Sequence, residues 1–246
     1  MKLLFLFLTS YIYLHAIITI APQELGSKAG TSGKIEASLQ TKRGNTDKDE
    51  YSAGIELKYD NNSSYLIWAN LTGSYGKASG ETNTNKTYAH IRLVHSLYEY
   101  TEWESFVQSE SNKFTNIQRR RLFGLGLRFH LLDTNFGKIY SGLGAYYETI
   151  GYTSSIDSDE KNARINFYLA YIKKFKKKNK IAYVAYYQPK FSDFHDYISS
   201  QALVLELNIH KEFYINFKLY YDVDTHPAIG IEKVDFTQKT AFIYKF

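Results

Sequence analysis

From Gly33 to Phe246 the chain is written largely in a two-residue period, and that repeat limits what it can fold into more than any other feature. Successive side chains of an extended strand point to opposite faces, so apolar–polar alternation marks a strand with one apolar and one polar environment. Lys34 to Thr41 sets Ile35, Ala37 and Leu39 against Lys34, Glu36, Ser38 and Gln40. Tyr51 to Tyr59, Ser64 to Tyr75, and Thr87 to Leu97 repeat the pattern, the last with Ala89, Ile91, Leu93 and Leu97 opposite His90 and Arg92. Glu102 to Glu110 is the poorest run, alternating badly beyond Trp103 and Val107. Arg121 to Leu131, Ile139 to Tyr147, Ala163 to Phe175 and Ile181 to Tyr187 follow, then Ser200 to Ile209, Phe213 to Tyr221 and Gln238 to Phe246. The pattern predicts twelve strands and no helix of consequence.

The joins between runs alternate too. Asn61-Asn62, Tyr100-Thr101, Asp133 to Asn135, Lys176 to Asn179 and Lys211-Glu212 are short. Lys42 to Glu50, Gly76 to Lys86, Ser111 to Arg119, Ile150 to Asn162, Pro189 to Ser199 and Asp222 to Thr237 are longer and polar. In hydrocarbon an unpaired backbone group costs several kcal/mol, so strands that span lipid must close on themselves. The expected fold is therefore all-β: a transmembrane antiparallel up-and-down β-barrel of about twelve strands, with short periplasmic turns and longer outer loops. Tyrosines near strand ends, such as Tyr51, Tyr59, Tyr75, Tyr147, Tyr221 and Tyr244, suit the boundary between acyl chains and headgroups. A soluble barrel or sandwich is the competing architecture.

Composition narrows the class. A mean hydropathy of −0.38 is incompatible with a multi-span helical membrane protein. With no cysteine there is no disulfide scaffold, cysteine nucleophile or cysteine-linked lipid anchor. The net charge of +5 does not call for a nucleic-acid partner. Six of the eight residues from Lys173 to Lys180 are lysine, which reads as a solvated turn before it reads as a phosphate site. At the N-terminus, Met1-Lys2 and the apolar run Leu3 to Leu14 read as an export signal. Cleavage after Ala16 is preferred over Ala21, which would put Pro22 first. The expected organisation is a signal peptide over 1–16, a flexible lead-in over 17–32 and the barrel over 33–246.

The polar faces supply a candidate lumen lining: Lys34, Glu36, Glu56, Lys58, His90, Arg92, Glu104, Arg128, His130, Glu148, Arg164, Glu206, Asn216, Lys218 and Lys239. Both signs occur, so the lumen is either crossed by ion pairs or left as a narrow water path. The matching functions are passive passage of ions or small solutes, or a closed barrel whose outer loops bind lipopolysaccharide or a protein. Enzymatic chemistry has thin support. Ser192, Asp193, His195 and Asp196 share one outer loop and are the best raw material for a lipid or glycan hydrolase. A solvated loop explains them as well. Asp157, Asp159 and Glu160, and likewise Asp47, Asp49 and Glu50, are oxygen donors without a fixed-ligand loop pattern, so no metal is assigned. Gly124 to Leu127 lacks the helix a nucleotide site needs, so no cofactor is expected.

Two stretches carry a family resemblance. Thr41-Lys42-Arg43-Gly44-Asn45-Thr46-Asp47, leading to Leu57-Lys58-Tyr59, resembles the opening of the salt-induced outer-membrane protein family, whose domain has no assigned function. Gly124-Leu125-Gly126-Leu127-Arg128-Phe129-His130 with Leu131-Leu132-Asp133-Thr134 resembles that family's central glycine-rich strand and its turn. The resemblance implies a barrel in the bacterial outer membrane, with outer-membrane lipids and lipopolysaccharide as its surroundings. Phe242, Tyr244 and the terminal Phe246 resemble the signal read by the barrel-insertion machinery.

Overall fold

The computed structural model describes residues 22–42, 48–62, 64–78, 81–175 and 178–246; the signal segment expected over 1–16 lies outside them. Twelve strands form one closed antiparallel barrel in which each strand pairs with its neighbours in sequence and the last pairs with the first. They are β1 (Gly30–Lys42), β2 (Lys48–Asp60), β3 (Tyr65–Ala78), β4 (Glu81–Tyr98), β5 (Thr101–Asn112) and β6 (Ile117–Thr134). β7 (Gly137–Tyr152), β8 (Glu160–Lys174), β9 (Lys180–Pro189), β10 (Tyr197–His210), β11 (Phe213–Asp224) and β12 (Val234–Lys245) complete it. Among the described residues the one helical element is a 3-10 turn at Lys113–Thr115.

Alternation decides which way each side chain faces. On β6, Phe123, Leu125 and Leu127 are exposed on the outside, while Leu122, Gly124 and Arg128 face in and are buried. Ile35, Leu39, Ile55, Leu71, Ile91, Leu143, Phe167 and Phe217 extend the same exposed belt around the barrel. Such a surface is stable only against acyl chains. Aromatic rings border it at both ends: Tyr59 and Tyr65 lie 6.0 Å apart near one rim, and Tyr187 and Tyr197 lie 5.3 Å apart near the other. The short turns and both ends of the barrel domain share one rim, which we call periplasmic.

The strands run further than the periodicity indicates. β4 begins at Glu81 rather than Thr87, and only residues 79–80 separate it from β3, so most of the loop expected over Gly76 to Lys86 is ladder. β6 likewise begins at Ile117, inside the loop expected over Ser111 to Arg119. Lipid imposes alternation only across its own thickness; beyond it both faces are wet, and backbone pairing continues with any polar sequence. β5 occupies the poorest run in full. Its pattern is blurred because Phe106 points inward, and cross-strand Gly124 makes room for it. A Cβ at Gly124 would sit 2.3 Å from Phe106 Cζ. Gly124→Ala is therefore expected to destabilise the barrel by roughly 1–3 kcal/mol through overpacking. In a Phe106→Ala background the same change should cost far less. Urea midpoints of the four proteins in detergent would show this coupling, and strictly additive losses would refute it.

The lead-in expected over 17–32 is described from Pro22 onward. There Pro22 to Lys28 forms a strap across part of the periplasmic mouth. Leu25 packs on Leu66, Trp68 and Val94, Gly26 N–H donates to Asp60 Oδ1 at 3.2 Å, and Glu24 pairs with Lys138 and Lys174. β1 then starts at Gly30, four residues ahead of the run expected from Lys34.

Candidate functional site

The interior divides into a dry sector and a wetter one. In the dry sector, Arg128 from β6 is 0% exposed. Its guanidinium donates to Glu104 at 2.9 Å, Glu102 at 3.2 Å, the Tyr168 hydroxyl at 2.9 Å and the Gln23 carbonyl at 2.9 Å. Arg92 meets the same Glu104 at 3.3 Å and lies over the Phe106 ring at 4.9 Å. Toward the outer rim, Glu148 accepts from Arg120 Nε at 2.8 Å and from Arg164 Nε at 2.7 Å. Arg164 continues to Asp196 at 2.9 Å, and Lys190 also pairs with Asp196. Buried charges persist only when paired, and here adjoining strands supply the partner.

The other sector is built by β1, β2 and β10 to β12. Lys34 pairs with Glu56 at 3.0 Å, Lys218 with Glu36 at 2.6 Å, Lys239 with Glu36 at 3.8 Å and Lys245 with Glu206 at 2.6 Å. The lysines keep solvent contact, Lys34 being 25% exposed, Lys239 21% and Lys245 31%, while Glu206 is buried. The strap borders this sector at β2, where Gln23 reaches Glu56 and Lys58 donates to the Ser27 hydroxyl.

The fifteen side chains expected on polar faces thus fall into two groups. His90, Arg92, Glu104, Arg128, Glu148, Arg164, Glu206 and Asn216 are buried; Lys34, Glu36, Glu56, Lys58, His130, Lys218 and Lys239 are half-buried. His130 meets Glu102 at 3.1 Å, and His90 stacks between Trp68 and Phe106. Sequence reasoning missed Arg120, Glu102, Glu110, Asp222 and Asp235, all buried. Extending the parity of Leu122, Gly124 and Arg128 backward along β6 lands on Arg120, and extending that of Glu104 lands on Glu102. It also missed that the wall of β7 to β10 is apolar on its inner side, where Tyr140, Tyr168, Ala170, Val184, Tyr186 and Ala202 pack together.

The loop residues do not converge. His195 Nδ1 lies 3.3 Å from Asp193 Oδ1, and the His195 backbone N–H donates to that carboxylate, holding it below the usual range. Asp196 turns away to bind Arg164, and among the described residues no hydrogen bond joins Ser192 to His195. Asp157 accepts from the Ile229 N–H, and Glu160 accepts from Tyr152 and Asn162. No cluster fit to hold a metal ion occurs among the described residues. Asp47 lies outside them. The basic turn sits at the periplasmic rim, with Lys174 paired to Glu24 and Lys178 to Glu212. Phe242, Tyr244 and Phe246 point outward at the same rim, where the rings of Tyr244 and Phe213 lie 5.2 Å apart.

A family model described as "Protein of unknown function, DUF481" matches residues 35–246. No curated protein matches the sequence. Among solved structures the chain is similar to a bacterial polysaccharide outer membrane secretin, at 8% identity and a TM-score of 0.50, covering 88% of this chain and 98% of that one. It is also similar to the translocator domain of the autotransporter NalP from Neisseria meningitidis, at 10% identity and a TM-score of 0.49, covering 89% and 90%. The KdgM porin follows at 11% identity and a TM-score of 0.44, covering 87% and 96%. At such identities the likeness is one of fold: a closed barrel of the bacterial outer-membrane kind.

Proposed function

The chain belongs to the DUF481 family, proteins of unknown function, and from that premise we propose that this outer-membrane barrel is a narrow passive pore for small ions and solutes. One observation carries the reading. The charged strip on β1, β2 and β10 to β12 keeps solvent contact at Lys245, Lys34, Lys218 and Lys239, from near the periplasmic rim to the outer half, whereas the Arg128 and Glu148 clusters are dry. A passage of that kind is lined by ammonium and carboxylate groups in turn, so it discriminates weakly by sign and strongly by size. The fifteen charged and polar side chains are its lining and its walls. No catalytic residue takes part.

The finer assignment to the salt-induced outer-membrane proteins belongs to the same proposal. So do lipopolysaccharide around the outer rim and recognition of Phe242, Tyr244 and Phe246 by the insertion machinery. Purified protein in a planar bilayer is expected to give small, reproducible conductance steps. Lys218→Glu should shift the reversal potential in a salt gradient toward cations, because Lys218 lies inside the strip beside Glu36. Electrical silence from a heat-modifiable, folded preparation would discard the pore. It would favour the second reading, a closed barrel acting through its outer loops, which the buried Arg–Glu network supports.

A further inference from the structure

The seam where β1 meets β12 is closed for only part of its height. Gly33 and Phe246 exchange backbone hydrogen bonds at 2.9 and 3.0 Å, and pairing continues to Ala37 opposite Phe242. Beyond that point β1 remains laddered to β2 as far as Lys42, and β12 to β11 as far as Val234, but β1 and β12 share no further register pair. The two strands separate toward the outer rim. A cavity of about 370 Å³ opens between them, lined by Ser38, Leu39 and Glu50 on one side and by Thr237 to Thr240 on the other.

The lining differs from the belt around it. Outward positions on β12 read Val234, Phe236, Gln238, Thr240, Phe242 and Tyr244, so the apolar series is broken only at the cavity. Unpaired strand edges at membrane depth need hydrogen-bonding partners. The buried Thr237 hydroxyl, which has no hydrogen-bond partner among the described residues, adds to that demand, and Ser38, Gln238, Lys239 and Thr240 make the rest of the lining polar. Beside them Leu39 is 61% and Phe242 64% exposed toward acyl chains. Polar within and oily without, the slot matches a molecule with a polar head and a hydrocarbon tail. Its charges balance, since its lining carries one of each sign, Lys239 and Glu50. Its volume falls in the range of about 300–1,000 Å³ typical of small-molecule sites.

We propose that the split seam between β1 and β12 is a lateral portal that takes the uncharged or zwitterionic head of a single-chain amphiphile from the outer leaflet, leaving its tail in lipid. The portal stands independently of any axial conductance. The test uses purified barrel in phosphatidylcholine vesicles doped with lysophosphatidylcholine carrying a diazirine beside its headgroup. Photolysis is expected to label the inward-facing Ser38, Thr237 or Lys239, which ordinary boundary lipid cannot reach. Thr237→Trp, which fills the slot, should abolish that labelling while the folded, heat-modifiable band is retained. A second variant guards against misfolding: Leu39→Cys with Thr240→Cys extends the existing register across the gap, so oxidation should remove inward labelling and reduction restore it. Labels confined to outward residues such as Leu39 and Phe242 would overturn the portal. Disulfide-linked dimers through Leu39→Cys alone would also overturn it, because a second copy would then occupy the edge.

Discussion

Glu148→Gln is expected to lower the stability of the barrel by about 3–5 kcal/mol, the cost of breaking a buried ion pair from one side. The side chain is 0% exposed and takes Arg120 and Arg164 at once. Glutamine keeps the shape and loses the charge, leaving two guanidinium groups close together out of water. Asp196 relieves Arg164 in part, but no other ion pair reaches Arg120 among the described residues. The measurement is the urea midpoint in detergent, followed by the mobility shift between folded and unfolded bands. Glu212→Gln is the matching control: its pair with Lys178 is more than half exposed on the lysine side and half on the glutamate side, so removal should cost only about 0–1 kcal/mol. Equal losses at the two sites would show that burial does not set the value of these pairs.

Arg128→Ala is expected to change permeability as well as stability. Arg128 ties Glu102 on β5, Glu104 on β5 and Tyr168 on β8 to the Gln23 carbonyl of the strap, so it couples the dry sector to the periplasmic cover. Its removal vacates the volume of a long side chain among polar groups, a space that water enters readily. Glu104 retains Arg92 and Glu102 retains His130, so the barrel should still fold, with a loss again of about 3–5 kcal/mol. The vacated space then offers a second wet route whose carboxylates outnumber their cations. Conductance should rise and become cation-selective, and hydrogen exchange should quicken at Gln23 to Ser27. Wild-type conductance and reversal potential in a folded Arg128→Ala protein would show that the dry sector does not restrict passage.

The barrel was legible to an unusual degree, because a lipid-facing strand has little freedom in what it writes. Phe123, Leu125 and Leu127 alternating with Gly124, Gly126 and Arg128 leave one way to place β6, and its neighbours follow by pairing. Legibility fails where lipid stops acting. Above the membrane, Thr82 to Lys86 show no period and yet pair with β3, since backbone hydrogen bonds do not depend on side-chain polarity. It fails again where the interior departs from simple polarity. Phe106 and Tyr168 face inward like their charged neighbours, and each occupies the space left by a cross-strand glycine, Gly124 or Gly142.

The amino-acid order by itself determined strand number, the face each residue presents and the need for closure, because each depends on a local two-residue repeat meeting an apolar solvent. Partners across the interior came only with the tertiary structure. Arg128 reaches Gln23 over a separation of 105 residues, and Lys218 reaches Glu36 over 182, so no local spacing encodes either contact. The division into dry and wet sectors, the strap at the mouth and the incomplete seam between β1 and β12 have the same origin. They arise from how far each strand travels before it meets its neighbour, which register fixes and alternation leaves open.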